Sequence, residues 1–122
     1  MNRRELGALG EALALRYMQE RGFALLAKNY RALRCEIDLV LRDGKTIVFA
    51  EVKTRAASSA YGLGREAVTT AKQRNIAKAA AAYLAAYSLY DACVRFDVLE
   101  VDAVNNLVTH IPGAFKIGRA HV

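Results

Sequence analysis

Residues 34–55 read Arg-Cys-Glu-Ile-Asp-Leu-Val-Leu-Arg, Asp-Gly-Lys, then Thr-Ile-Val-Phe-Ala-Glu-Val-Lys-Thr-Arg, two β-rich runs about one turn signal. Side chains alternate faces along a strand, so Ile37, Leu39 and Leu41 share one side of the first run and Glu36 and Asp38 the other. In the second run Glu51, Lys53 and Arg55 share a side. A hairpin of this kind has carboxylates where a fully buried sheet would carry hydrophobes. With Asp43-Gly44 as a two-residue loop, Arg42 faces Lys45, Asp38 faces Phe49 and Glu36 faces Glu51. Asp38 and Glu51 are then diagonal neighbours on one face, roughly 7–8 Å apart, a gap two carboxylates can close around one divalent cation.

Glu-x-Lys on a strand, with an Asp on the strand before it, suits metal-dependent phosphodiester hydrolysis. Two hard oxygen ligands hold Mg²⁺ or Mn²⁺ and leave coordination sites for water and the scissile phosphate. The neighbouring ammonium can orient or acidify water, or neutralise charge on the phosphate in the transition state. A half-exposed antiparallel sheet with stabilising cross-strand ion pairs would show the same alternation, so the hairpin alone leaves both readings open. Glu11 adds weight to the first. Leu6, Leu9, Leu13 and Tyr17 form a helical stripe between Arg3 and Gly22, and Glu11 lies off it. Its neighbours three and four residues away are Gly7, Ala8, Ala14 and Leu15, so no cation on its own helix pairs with it. Gly7, Gly10 and Ala14 would let this helix approach a sheet closely.

Gly-x-x-Gly-Glu-x-x-Ala at 7–14, Glu-Ile-Asp-Leu at 36–39, Phe-Ala-Glu-Val-Lys-Thr-Arg at 49–55, Lys72 and Arg-Phe-Asp-Val at 95–98 together resemble the YraN-like family. That largely uncharacterised family is assigned to the restriction-endonuclease-like superfamily, and its core is similar to that of Holliday-junction resolvases. The resemblance spans about Leu6 to Phe115. It implies that Asp38 and Glu51 are the principal metal ligands, Lys53 the catalytic lysine, and Glu11 a helix-borne acidic residue near the metal. Lys72 and Gln73 fall in a family block and, with Arg55, are the candidates for nucleic-acid contact. Ile37 stands in place of the superfamily's Pro, and Cys35 in place of a Gly before Glu-Ile-Asp. The resemblance further implies an αβββαββ core, an α/β fold with a mixed central sheet flanked by helices. A two-fold homodimer acting on nucleic acid, DNA in particular and branched or structured DNA among its substrates, is the corresponding expectation; a catalytically weak or inactive binding module or a repair-complex scaffold is the alternative.

Composition is compatible with this. A chain of 122 residues can bury one core and too little surface for two. Eighteen Lys and Arg against 12 Asp and Glu give a formal charge of +6. A basic whole with a locally acidic hairpin favours a polyanionic partner and a cation between the two. Cys35 and Cys93 fit neither a disulfide framework nor a zinc pattern and are expected as reduced thiols, which points to the cytoplasm. The Ala-rich run at 79–90 is too short to cross a bilayer, so no membrane partner is expected.

Strands are expected over Ala24–Tyr30, the hairpin, Val94–Val101 and Leu107–Ile111, and a second helix over Arg65–Tyr87. Between the hairpin and that helix, 56–64 reads as a small-residue loop in which Tyr61 is more an anchor than a stacking platform. Arg65, Arg74 and Lys78 fit a phosphate-contacting surface and a solvated helix face equally. His110 has no His or Cys partner at ligand spacing, so a structural or exposed position is expected for it, and Arg95 and Asp97 are expected to pair across strands rather than act on substrate. Residues 1–116 are expected to form one nuclease-like domain. The last six residues, Ile-Gly-Arg-Ala-His-Val at 117–122, match the translation of a common sequencing adapter and are expected to be a non-native tail.

Overall fold

The computed structural model describes residues 1–56 and 68–116. The element order is α1 (Arg3–Glu20), β1 (Ala24–Ala32), β2 (Cys35–Asp43), β3 (Thr46–Arg55), α2 (Thr70–Ala86), β4 (Cys93–Asp102) and β5 (Leu107–Phe115). Most of the expected loop at 56–64 with Tyr61, the helix start at Arg65 and the tail at 117–122 lie outside the described residues. Both helices start on side-chain caps that satisfy backbone donors left over in a first turn. Asn2 and Glu5 form a reciprocal capping box on α1, and the Thr69 hydroxyl accepts from the Lys72 amide on α2.

The five strands form one sheet in the order β1-β2-β3-β4-β5. All neighbours are antiparallel except β3 and β4, which run parallel, and α2 supplies the crossover that a parallel pair requires. Each face of the sheet carries one helix. Ala14 and Met18 of α1 pack on Leu39, Leu41, Val48, Ala50, Leu99 and Val101. On the other face Ile76, Ala79, Ala80 and Tyr83 of α2 pack on Ile37, Val40, Ile47, Phe49, Phe96 and Val98. The α/β class and the mixed sheet between helices agree with the expected restriction-endonuclease-like core.

The hairpin register differs from the expected one. Asp43 pairs with Thr46, so the two loop residues are Gly44 and Lys45, and the ladder runs through Val40↔Phe49 to Leu39↔Ala50. Gly44 has φ +60, and a two-residue loop with a single left-handed residue needs it at the first loop position. Extending this register by one residue sets Asp38 directly opposite Glu51 rather than diagonal to it.

The buried face of α1 also differs. Gly10, Ala14 and Met18 are the buried residues, whereas Leu6, Leu9, Leu13 and Tyr17 flank them half-buried. A Cβ on Gly10 would collide with the Thr54 side chain, so the small residues mark where the helix lies closest to β3. β5 continues past Ile111 through Pro112 and Gly113. Pro is tolerated there because the strand is at the sheet edge, and the ladder is irregular between Phe96 and Val98 as Gly113 turns with φ +59. At the other edge, β1 and β2 join through Leu33 and Arg34, both with positive φ; Cys35 itself begins β2 and needs no glycine-like backbone.

Candidate active site

Asp38 stands just past the last β2–β3 pair. There the Val52 amide donates to Asp38 Oδ2 at 2.8 Å, so the carboxylate takes a β3 backbone donor where the paired ladder has ended. Glu51, on the same face of β3, is 4% exposed. One of its oxygens, Oε2, receives Lys72 Nζ at 2.9 Å and Lys53 Nζ at 3.3 Å. Lys72 comes from the first turn of α2 and Lys53 from two residues along β3. The structure therefore brings Asp38, Glu51, Lys53 and Lys72 together.

The electrostatics follow from the crowding. Burial, and then the adjacent Glu51 charge, push the Asp38 carboxyl up to about 8, against the lowering effect of the Val52 amide. Glu11 adds a smaller push in the same direction. Lys72 is held above its ordinary value chiefly by its hydrogen bond to Glu51, which outweighs its partial burial. Two ammoniums converging on one buried carboxylate oxygen, beside a carboxyl that resists ionisation, supply the positive charge that a divalent cation would otherwise supply. The donor set, two hard carboxylates on one face, fits Mg²⁺ or Mn²⁺. Among the described residues no group of three or more His, Cys, Asp or Glu side chains is placed to hold a metal ion, so the protein donors at this site are these two carboxylates.

The remaining expected residues are placed differently. Glu11 is half-buried on α1, and its Oε1 accepts from Asn29 Nδ2 at 3.0 Å. Its influence on Asp38 is through charge rather than contact. Asn29 sits in β1 with φ +48, a left-handed conformation that Asn tolerates better than most residues. Nothing in the spacing of β1 marked it as the partner of Glu11. The Gln73 side-chain amide donates to the Val68 carbonyl at 3.0 Å, which braces the approach to α2. Arg55 is at the end of β3, in register with Asp102, two residues beyond the lysine. Glu100 of β4 was also missed. It shares the α2 face, where the alternation Phe96, Val98, Glu100 breaks from apolar to acidic, and this break was its visible signal.

Two other features lie away from this cluster. Asp97, fully buried on the α1 face, accepts from Arg95 at 2.8 and 2.9 Å and from the Gly113 amide at 3.0 Å, and meets His110 Nε2 at 2.6 Å. Burial alone would raise this carboxyl, but His110, Arg95 and the Gly113 amide together hold it below the usual carboxylate range. Arg95 thus pairs with Asp97 along one strand rather than across strands, and the cross-strand partner of Asp97 is His110. A cavity of about 280 Å³ between α2 and β4–β5 is lined by Ala77, Ala80, Leu84, Phe96 and Phe115 among others. Its lining contains no carboxylate, in contrast to the acidic cluster at Asp38 and Glu51. Cys35 and Cys93 are both free thiols. No helix among the described residues is long and apolar enough to cross a membrane.

Fold and cluster together define an α/β protein with a restriction-endonuclease-like core and an Asp, Glu-x-Lys arrangement at the divergence of β2 and β3. The model of the uncharacterised protein family UPF0102 matches residues 10–101, and the chain belongs to that family. A UPF0102 protein of Geobacter metallireducens is 45% identical over 119 residues, covering 96% of this chain and 97% of the relative. One from Chlorobaculum tepidum is 44% identical over 123 residues, covering 93% of each chain. A third, from Legionella pneumophila, is 38% identical over 115 residues, covering 93% of this chain and 97% of the relative.

Proposed function

We propose that this protein is a nuclease that hydrolyses phosphodiester bonds in DNA with Mg²⁺ or Mn²⁺ held by Asp38 and Glu51. The observation that carries this reading is the meeting of those two carboxylates on one face with Lys53 Nζ 3.3 Å from Glu51. A divalent cation bound there supplies Lewis-acid polarisation of phosphate and a water of lowered pKa. Asp38 gives up its proton to become a ligand, and its Val52 hydrogen bond keeps one oxygen fixed while it does so. Glu51 would hold the cation beside Asp38 through the buried carboxylate that Lys53 and Lys72 meet in this structure. Lys53 then neutralises charge that develops on the phosphate, and Lys72 is free to contact a backbone phosphate nearby. Glu11, anchored by Asn29, adds negative potential that strengthens cation binding. A two-fold dimer would present two such sites to two strands.

A second reading, a binding module without turnover, is favoured by one observation: Glu51 Oε2 is the ion-pair partner of both Lys53 and Lys72. Cleavage assays on single-stranded, duplex, flap and four-way-junction DNA, with and without Mg²⁺ or Mn²⁺, separate the two. The nuclease reading expects metal-dependent cleavage of at least one substrate. Lys53→Ala should lower it by orders of magnitude while leaving DNA affinity within a few-fold, because its contribution is at the transition state. Equal cleavage by wild type and Lys53→Ala would remove the lysine from the chemistry, and absence of cleavage throughout would favour the binding module.

A further inference from the structure

The α2 face of the sheet does not end its polar run at Lys53. In the parallel β3–β4 ladder Lys53 is the register partner of Glu100, and Thr109 flanks Glu100 on β5. Register partners on adjacent strands share a face and lie about 4.8 Å apart along the hydrogen-bonding direction. Glu100 is 6% exposed, and among the described residues its Oε2 is buried with no hydrogen-bond partner. A buried carboxylate oxygen left unmatched is costly, and one retained in a native fold calls for a physical reason. The ammonium on the adjacent strand is that of Lys53, which in this structure is turned to Glu51 at 3.3 Å.

Lys53 thus has two carboxylates beside it on one face, Glu51, whose Oε2 it meets, and Glu100, whose Oε2 is unmatched. When a divalent cation joins Asp38 and Glu51, it competes for the Glu51 oxygen that holds Lys53 and repels the ammonium. From this we infer that Glu100 is the second anchor of Lys53: cation binding moves Nζ from Glu51 to Glu100, which keeps the lysine beside the metal and oriented along the strand. The inference rests on the metal site proposed above. Glu100 is a positioning residue in this scheme; it touches neither cation nor phosphate. No atom is transferred, and the only bonds exchanged are the ammonium's hydrogen bonds.

The test is a double-mutant cycle on Mn²⁺ affinity, measured by calorimetry on the full chain without nucleic acid. Glu100→Gln should weaken Mn²⁺ about tenfold, since Lys53 then has no charged acceptor to move to and stays in competition for Glu51. In a Lys53→Met background the same Glu100→Gln change should alter the affinity less than twofold. An equal loss in both backgrounds would show that Glu100 acts on the cation directly or through general charge, and no loss in either would leave it a core carboxylate; both overturn the inference while sparing the parent site. Mn²⁺ binding that is absent, or unaffected by Asp38→Asn, overturns the parent site and this inference with it. Should Glu100→Gln fail to fold, the wild-type carboxyl ¹³C resonance of Glu100 provides the readout. It should shift on Mg²⁺ addition in wild type and stay in place in Lys53→Met, and a static wild-type resonance refutes the exchange.

Discussion

Asp38 is where the chemistry of single residues is most exposed to measurement. Its carboxyl ionises near 3.8 in an unfolded chain and near about 8 in the fold, because burial and the Glu51 charge disfavour the anion. Between those values the folded protein keeps a proton that the unfolded chain has lost. The stability of the metal-free protein should therefore fall as pH rises through this window and level off above it. Asp38→Asn removes the titration, so its melting temperature without metal should equal or exceed that of wild type, most clearly near pH 8. Mn²⁺ should raise the melting temperature of wild type by an amount that grows with the logarithm of its concentration above its dissociation constant, and leave the mutant nearly unmoved. Thermal melts at acidic and mildly basic pH, with and without Mn²⁺, check both statements. A lower melting temperature for the mutant without metal, or an undiminished metal response, would assign Asp38 to an ordinary exposed ion pair instead.

Among the elements, the seat of α1 on β3 decides whether Glu11 can serve the site at all. Gly10 lies against Thr54, next to Glu11 in sequence and one position beyond Lys53 on the strand. Gly10→Ala normally favours a helix by about 1 kcal/mol, but here the added methyl meets the Thr54 side chain. Overpacking of this kind typically costs about 1–3 kcal/mol, so the net effect should be destabilising, with a lower denaturant midpoint at unchanged slope. Thr54→Ala in the same chain should recover part of the loss, since it removes the nearest atom and leaves the Cβ. If Gly10→Ala proves stabilising, the helix rides higher on the sheet than described and the Glu11–Asn29 hydrogen bond loses its geometric basis. The sequence held the small residues of this contact in plain view. It did not say which stripe of α1 would be deepest, because a face built on Gly10 and Ala14 carries almost no hydrophobic signal, whereas the flanking Leu6, Leu9 and Leu13 carry a strong one.

For the whole molecule the net charge of +6 is the quantity that matters. Binding through phosphates should make the logarithm of DNA affinity fall linearly with the logarithm of salt. Lys72 gives this a conditional form. Without a divalent cation its ammonium is 2.9 Å from Glu51, and Lys72→Ala should leave the salt slope unchanged. With Ca²⁺ in the site, a cation expected to support binding more than turnover, the same change should flatten the slope by about one unit for one lost phosphate contact. Fluorescence anisotropy across a salt series gives the slopes. A salt-independent affinity in both conditions would point to a protein partner.

Much of this architecture was legible before any coordinates. Alternating patterns marked the hairpin and β4, the Ala-rich run marked α2, and the spacing Asp, Glu-x-Lys marked one face, because these signals are local and depend only on strand and helix periodicity. The register of the hairpin was not legible, since it turns on whether Gly44 occupies the first or the second loop position, a one-residue choice that the residue types alone left open. Nor were the meeting of Lys72 with Glu51, the hold of Asn29 on Glu11, and the unmatched oxygen of Glu100. Each joins residues from elements separated in sequence. Their distances follow from how α1 and α2 settle on opposite faces of the sheet, and that settling is decided by packing over the whole core rather than by any segment's own pattern.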